Sequence, residues 1–225
     1  MSDQAVASAQ IFIKCFLPET LTGELFTKVQ IIYERLVAYN AHTNLTRIDS
    51  LGEFWVKHVA DSLSIFKFFP ELLTVKSSIL DVGCGAGFPS LLLALAAPEL
   101  QVTAVDSIGK KIAFVDSVRE ELKISNLTCF AARTRELNCR TEWQKRFDII
   151  TARAVSDART LYRENKNLLK EGGRYIFYKS PEQLKVDFEQ VKSAAGKSNL
   201  KWHCTPEFEL PQGEGARSFL FSSNI

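Results

Sequence analysis

The segment Ser78-Ile79-Leu80-Asp81-Val82-Gly83-Cys84-Gly85-Ala86-Gly87-Phe88-Pro89 decides the fold. Ser78–Val82 is a short β-rich run, and it passes without a spacer into alternating glycines. Glycine accepts backbone angles that other residues resist and lets a ligand approach the main chain. Beyond the loop, Pro89–Ala97 reads as a compact helix closed by Pro98, and Gln101–Val105 as a second strand that ends in Asp106. An ionised carboxylate offers two acceptor oxygens, the right group for a pair of ribose hydroxyls. Its distance from the glycine loop, about 20 residues, is that of a ribose-binding acid. A dinucleotide loop would read G-x-G-x-x-G/A, but the third small position is held by the large ring of Phe88. S-adenosylmethionine, which has no pyrophosphate to place at a helix N-terminus, suits this loop better.

The same alternation continues outward. Lys110–Leu122 reads as a helix, Leu127–Ala131 and Phe147–Ala152 as strands, Asp157–Leu169 as a helix ending before Gly172-Gly173. Arg174–Lys179 is a strand, Glu182–Ala195 a helix, and Trp202–Leu210 with Arg217–Ser222 a closing pair of strands. Strands alternating with helices imply a doubly wound, Rossmann-like α/β sheet, here with an antiparallel C-terminal edge hairpin. Upstream, Leu25, Val29, Ile32 and Leu36 recur at helical spacing. Ser50-Leu51-Gly52-Glu53 has capping-box form before Phe54, Val59, Leu63 and Phe66, and Pro70 lies near the end of that helix. Two parts are expected: residues 1–75 as a helical extension packed on the core, and residues 76–225 as the cofactor-binding domain.

Composition sets the bounds. The 225 residues suit one α/β domain with an extension, and a hydrophobic content of 46% supports a sizeable core. A net charge of +2 neither demands nor excludes a nucleic-acid partner, because an electrostatic footprint is local. Cys15, Cys84, Cys129, Cys139 and Cys204 have no CxxC spacing, and His42, His58 and His203 stand alone, so no metal site is expected. An odd cysteine count without a signal peptide reads as reduced thiols in the cytoplasm. No apolar run is long enough to span a membrane, and a monomer is expected.

Further residues carry a family resemblance. Tyr39-Asn40, Asn44-Leu45-Thr46, His58 with Asp61-Ser62, the Leu80–Pro89 loop, Asp106-Ser107 with Lys110-Lys111 and Phe114, Arg133, Arg153-Ala154, Lys179 and Arg217 occur in one order and spacing. From about residue 25 to the end the chain resembles the RsmG (glucose-inhibited division protein B) family, which methylates N7 of a guanine in bacterial 16S ribosomal RNA. The resemblance implies a class I methyltransferase that takes S-adenosyl-L-methionine as cofactor and 16S ribosomal RNA, or the small ribosomal subunit, as partner. It implies cofactor contacts from Gly83, Gly85, Gly87, Phe88, Asp106, the Thr134-Arg135 backbone and Arg153. It makes Arg153 and Lys179 the expected catalytic residues, and Lys110, Arg133, Lys179 and Arg217 the RNA-binding ones. Ala86, Ser90, Arg135 and Ser180 depart from the family's usual residues.

Guanine N7 has a lone pair and no proton, so it can attack a sulfonium methyl directly, and the protein must mainly align the reactants. The sequence agrees by what it lacks. Thr151-Ala152-Arg153-Ala154 stands where amine methyltransferases carry an Asn/Asp-Pro-Pro-Tyr/Phe segment, and no cysteine is placed as a nucleophile. His58 and Asp61 read as supports of a cofactor-side lid. Arg133, Arg135, Arg153 and Lys179 each follow a strand, and with Lys110 and Lys111 they should form one basic rim for phosphates. Taken singly, each of these residues is also ordinary surface charge or packing. Methylation of another RNA or a small molecule, and a non-catalytic RNA-binding assembly factor, remain the competing readings; Phe88 counts against a nicotinamide oxidoreductase.

Overall fold

A computed structural model of the chain describes residues 2–43, 45–46, 50–196 and 198–224. Asn44 of the expected motif lies outside the described residues. The chain opens with α1 (Ser2–Lys14) and α2 (Glu19–Thr43), and α2 buries Leu25, Val29, Ile32 and Leu36 as the spacing requires. A broken helix follows: α3 (Leu51–Glu53), a π-helical segment (Phe54–Ala60), α4 (Asp61–Leu63) and α5 (Ile65–Phe68). Ser50 caps it, its Oγ accepting from the Glu53 N–H.

The expected regular helix is therefore wider at its centre. The Asp61 N–H bonds to the carbonyls of Val56 and His58 and passes over that of Lys57, the partner a regular α-helix would use. The Lys57 carbonyl is taken instead by the Arg153 side chain. Single π turns of this kind are typical of functional sites.

The sheet comprises β1 (Ser77–Val82), β2 (Leu100–Asp106), β3 (Leu127–Ala131), β4 (Phe147–Arg153), β5 (Leu169–Lys179), β6 (Leu200–Cys204), β7 (Phe208–Glu209) and β8 (Ala216–Asn224). Between them run α6 (Ser90–Ala96), α7 (Gly109–Glu121), α8 (Thr134–Leu137), α9 (Ala158–Asn165) and α10 (Pro181–Ala195). Strand order is β3-β2-β1-β4-β5-β8-β6, with β7 paired to β8. The first five strands are mutually parallel, and β8 runs antiparallel between β5 and β6. The order reverses between β1 and β4, so the crevice beyond their carboxyl ends is where a ligand of this sheet belongs.

Both faces are covered. Ile79, Val102, Ile149 and Ile176 share one buried cluster with Ala9, Ile13, Val29, Phe54 and Val115. Their strand neighbours Leu80, Val105, Ile150 and Phe177 share another with Leu161, Tyr162, Val191 and Trp202. That is the period-two alternation of a strand, with apolar residues on both faces as a doubly covered sheet requires. No described helix is long and apolar enough to cross a membrane.

Two stretches differ from the sequence expectation by more than two residues. The helix after β4 ends at Asn165, and β5 begins at Leu169 with a register shift opposite Phe147 and Ile149. The glycine pair thus lies inside the strand. A Cβ at Gly173 would stand 2.9 Å from the Asp148 carbonyl, so close backbone approach requires glycine there. The expected strand Trp202–Leu210 is two strands, because Pro206 interrupts the ladder.

The turn between α6 and β2 rests on Asn126, which precedes β3. Its Nδ2 lies 3.0, 3.3 and 2.8 Å from the carbonyls of Ala94, Ala97 and Leu100, and so serves the open end of α6. Asn126→Ala should lower the unfolding free energy by about 1–3 kcal/mol, the cost of stranding buried carbonyls. Urea denaturation checks this, and an unchanged midpoint would contradict it.

Candidate active site

The loop after β1 is built on left-handed glycines, with Gly83 at φ +68°. A Cβ on Gly83 would fall 2.6 Å from the Val155 side chain, so glycine is needed for space as well as for angle. The amides of Gly83 and Cys84 both donate to the Val105 carbonyl, at 2.7 and 3.0 Å. Asp106 fastens the loop to the end of β2: Oδ2 accepts from the Gly85 N–H at 3.0 Å and Oδ1 from the Ile108 N–H at 2.9 Å. Each oxygen keeps further acceptor capacity, and Lys111 Nζ stands 4.0 Å from Oδ2.

Beneath the loop, Asp81 is fully buried. Its Oδ2 accepts from both the backbone N–H and the hydroxyl of Ser90, while Oδ1 has no partner. Burial pushes this carboxyl up to about 6, against the hydrogen bonds from Ser90.

A second group of side chains closes over the loop from the broken helix. Arg153, the last residue of β4, donates through Nη1 to the Lys57 carbonyl at 2.8 Å and to Asp61 Oδ2 at 3.1 Å. Its Nη2 lies 3.1 Å from His58 Nδ1. A guanidinium only donates, so Nδ1 is the accepting nitrogen, and the ring proton sits on Nε2, 3.3 Å from Thr46 Oγ1. The imidazole stacks on Phe88 at 4.5 Å, with the planes 12° apart. Burial, then the neighbouring Arg153 charge, holds His58 down at about 3. Asp61 also pairs with Arg217, whose Nε is 3.3 Å from Oδ1. Burial pushes the Cys84 thiol far up.

Three clefts meet on this edge of the sheet. One, of about 490 Å³, is lined by Asp106, Ile108, Thr134, Arg135 and Val155. Another, of about 330 Å³, is lined by His58, Asp61, Gly85, Phe88 and Arg153. The third, of about 520 Å³, lies against Lys179 and Asp187. Ala154, at φ +55°, lines all three. Among the described residues no group of histidines, cysteines and acids could hold a metal ion.

A family model for rRNA small subunit methyltransferase G matches residues 26–212. The chain belongs to the rRNA small subunit methyltransferase G family. The protein of that name from Ligilactobacillus salivarius is 37% identical over 204 residues, spanning 89% of this chain and 83% of the relative. Its namesake in Lactobacillus delbrueckii subsp. bulgaricus is 33% identical over 193 residues, spanning 86% and 80%. A SAM-dependent methyltransferase from Aquifex aeolicus shares the fold with a TM-score of 0.52 at 17% identity, over 70% of this chain and 88% of that one. So does M. jannaschii TYW2, solved in complex with AdoMet, with a TM-score of 0.55 at 14% identity over 73% and 77%.

In this member of the family, the residues expected from sequence divide into two sets. Gly83, Gly85, Phe88, Asp106, Thr134, Arg135 and Arg153 line the clefts at the carboxyl edge of β1, β2, β3 and β4, whereas Gly87 faces Leu91 and Val115. The Phe88 ring itself is buried, packed between His58 and Phe54.

The single basic rim is not what the structure shows. Arg133 and Arg135 are exposed, and so is Lys110, whose Nζ donates to the Thr43 carbonyl at 2.9 Å. Arg153, Lys179 and Arg217 instead turn inward to carboxylates, because a cation taken out of water requires a counter-ion. Lys179 is only 5% exposed, with its Nζ 2.6 Å from Asp187 Oδ2. His58 and Asp61 converge on Arg153 rather than on each other.

Sequence reasoning missed Asp187, Lys57 and the work of two unusual serines. Ser90 binds Asp81, and Ser180 forms a capping box with Gln183 at the start of α10. The Ser180-Pro181-Glu182-Gln183 pattern signals that cap directly; nothing in the sequence signals the Asp187 pairing.

With a folded value near 3 against an ordinary value near 6.5, His58 takes up a proton on unfolding between those limits. Its contribution to stability is therefore complete above about pH 6.5 and is lost as pH falls toward 3, by about 1.4 kcal/mol per pH unit. Asp81 acts in the opposite sense, since its raised carboxyl binds a proton in the folded state first. Wild type should accordingly lose stability relative to His58→Gln between about pH 6.5 and 4.5. The His58 ring signals in NMR should stay those of a neutral imidazole over that span; a ring titrating near its ordinary value would refute the assignment.

Proposed function

We propose that this chain methylates N7 of a guanine in 16S ribosomal RNA by direct attack on the methyl group of S-adenosylmethionine, without a general base. The family is that of rRNA small subunit methyltransferase G, and the observation that carries the finer reading is that neither His58 nor Cys84, beside the glycine loop, is poised for proton transfer or nucleophilic attack. His58 is held too low to accept a proton at neutral pH, and Cys84 too high to serve as a nucleophile. Guanine N7 requires neither.

The residues present fit the cofactor. Bound there, S-adenosylmethionine supplies an electrophilic methyl group on a sulfonium. Asp81 Oδ1, buried without a partner, is an acceptor waiting for a donor such as an α-ammonium group. Asp106 keeps acceptor capacity for ribose hydroxyls, and Gly85, whose Cβ position is open space, leaves the loop surface clear of side chain. Thr134 and Arg135 border the part of the cleft where we place the adenine.

Arg153 holds Lys57, His58 and Asp61 in one arrangement and so fixes the wall opposite the loop. We assign it the alignment of the reacting groups. Exposed Lys110, Arg133 and Arg135 are left to attract phosphates. Residues 1–75 are read as an extension of the cofactor-binding domain, and the protein as a cytoplasmic monomer acting on the small ribosomal subunit.

The deciding experiment is transfer of labelled methyl from S-adenosylmethionine to unmodified small subunits, with mapping of the product. Label at N7 of one guanine is expected; label on an exocyclic amine or a pyrimidine carbon would overturn the reading. Arg153→Lys keeps a charge but loses the planar fork. Single-turnover transfer should then slow by about 100-fold, equivalent to roughly 2.7 kcal/mol of transition-state stabilisation. Transfer at the wild-type rate would leave Arg153 as a structural charge only.

A further inference from the structure

The cleft of about 520 Å³ beside Ala154 has features that cofactor binding does not use. Val155 and Val186, on the β4–α9 loop and on α10, both line it, yet they remain 46% and 59% exposed. Two solvent-facing apolar side chains thus stand at the walls of this cleft. Lys179 and Asp187 line the same cleft as a buried ion pair.

The hydrogen-bond capacity of that pair is only partly spent. An ammonium has three donors. Those of Lys179 serve the Ser156 carbonyl at 2.9 Å and Asp187 Oδ2 at 2.6 Å, which leaves one. Asp187 Oδ1 makes no hydrogen bond among the described residues, and it is not a sealed, unpartnered atom. The cleft therefore carries one donor and one anionic acceptor side by side, between apolar walls.

We propose that this cleft receives the target guanine, turned out of its RNA stack, and that Lys179 and Asp187 read its O6 and N1–H. The inference rests on the methyl transfer proposed above. Guanine presents an acceptor at O6 next to a donor at N1, the complement of an ammonium beside a carboxylate. Adenine presents the reverse, a donor at N6 and an acceptor at N1, so the same pair repels it. Enzymes that act on an extruded base read its Watson–Crick edge in this way and stack it between apolar or aromatic side chains, the role of Val155 and Val186. Reading that edge leaves N7 free to face the neighbouring clefts at Ala154. Lys179 and Asp187 thus determine specificity, and the buried pairing keeps the donor fixed before the base arrives.

The test uses full-length protein and small subunits reconstituted with the mapped guanine replaced by inosine, 2-aminopurine or adenine, all of which keep N7. Inosine retains O6 and N1–H and should be methylated within about tenfold of guanine. The other two lack that pair and should react at least roughly 100-fold more slowly. Wild-type transfer to 2-aminopurine at the guanine rate overturns the assignment, and this arm needs no variant. The second arm is the uncharged double variant Lys179→Met with Asp187→Leu, since replacing both members of a buried pair spares the fold. Its affinity for S-adenosylmethionine by calorimetry should match wild type, while its guanine over 2-aminopurine preference falls at least about tenfold. An undiminished preference overturns the proposal. Methyl mapped to an atom other than purine N7 would instead remove the reading on which it rests, and this inference with it.

Discussion

The architecture turns on the guanidinium of Arg153. It ends a central strand, its side chain is 12% exposed, and it faces Asp61 at 7%. A cation in that position loses most of its hydration, and the protein must replace it with fixed partners. Every partner it finds, the Lys57 carbonyl, His58 and Asp61, comes from the broken helix of the N-terminal region. Removing one member of such a pair typically costs about 3–5 kcal/mol. The N-terminal helices are thus held to the sheet by a charge as well as by the apolar cluster, and the π-helical turn exists where the freed carbonyl is needed.

The charges around the clefts are arranged by burial. Asp61 serves two arginines, which leaves the cluster with an excess of positive charge beside the glycine loop. Lys179 has a carboxylate of its own. Exposed arginines and Lys110 stand further out, where water screens them and a polyanion can reach them. Buried, paired positive charge and solvent-facing positive charge are therefore carried by different residues, although the sequence presents them as one series of basic positions after strands.

The legible parts of this protein are those with local signatures. A β-rich run followed by alternating glycines, a compact helix and a strand-end acid define the loop and Asp106, and both lie where that order implies. The strand ends also point correctly to the edge that carries the clefts. Sequence spacing fails where the partner is set by tertiary packing. Lys179 closes β5 and Asp187 lies midway along α10, so their pairing has no period to reveal it. The π turn leaves the apolar spacing of Phe54, Val59, Leu63 and Phe66 in place and is invisible to a helical pattern. The early start of β5 follows from Gly173 lying against the Asp148 carbonyl, a contact between strands.

Ala154 carries a consequence for how such a site can diversify. A non-glycine residue in the left-handed region costs on the order of 1–2 kcal/mol, and a β-branched one more. The position can drift toward glycine or asparagine with ease, but not toward valine or isoleucine. Because the three clefts share this residue, none can be reshaped by placing a β-branched side chain there. Lineages that alter the substrate must therefore work through the flanking positions, Val155 on one side and the residues around Lys179 on the other, while the pivot between them stays unbranched at Cβ.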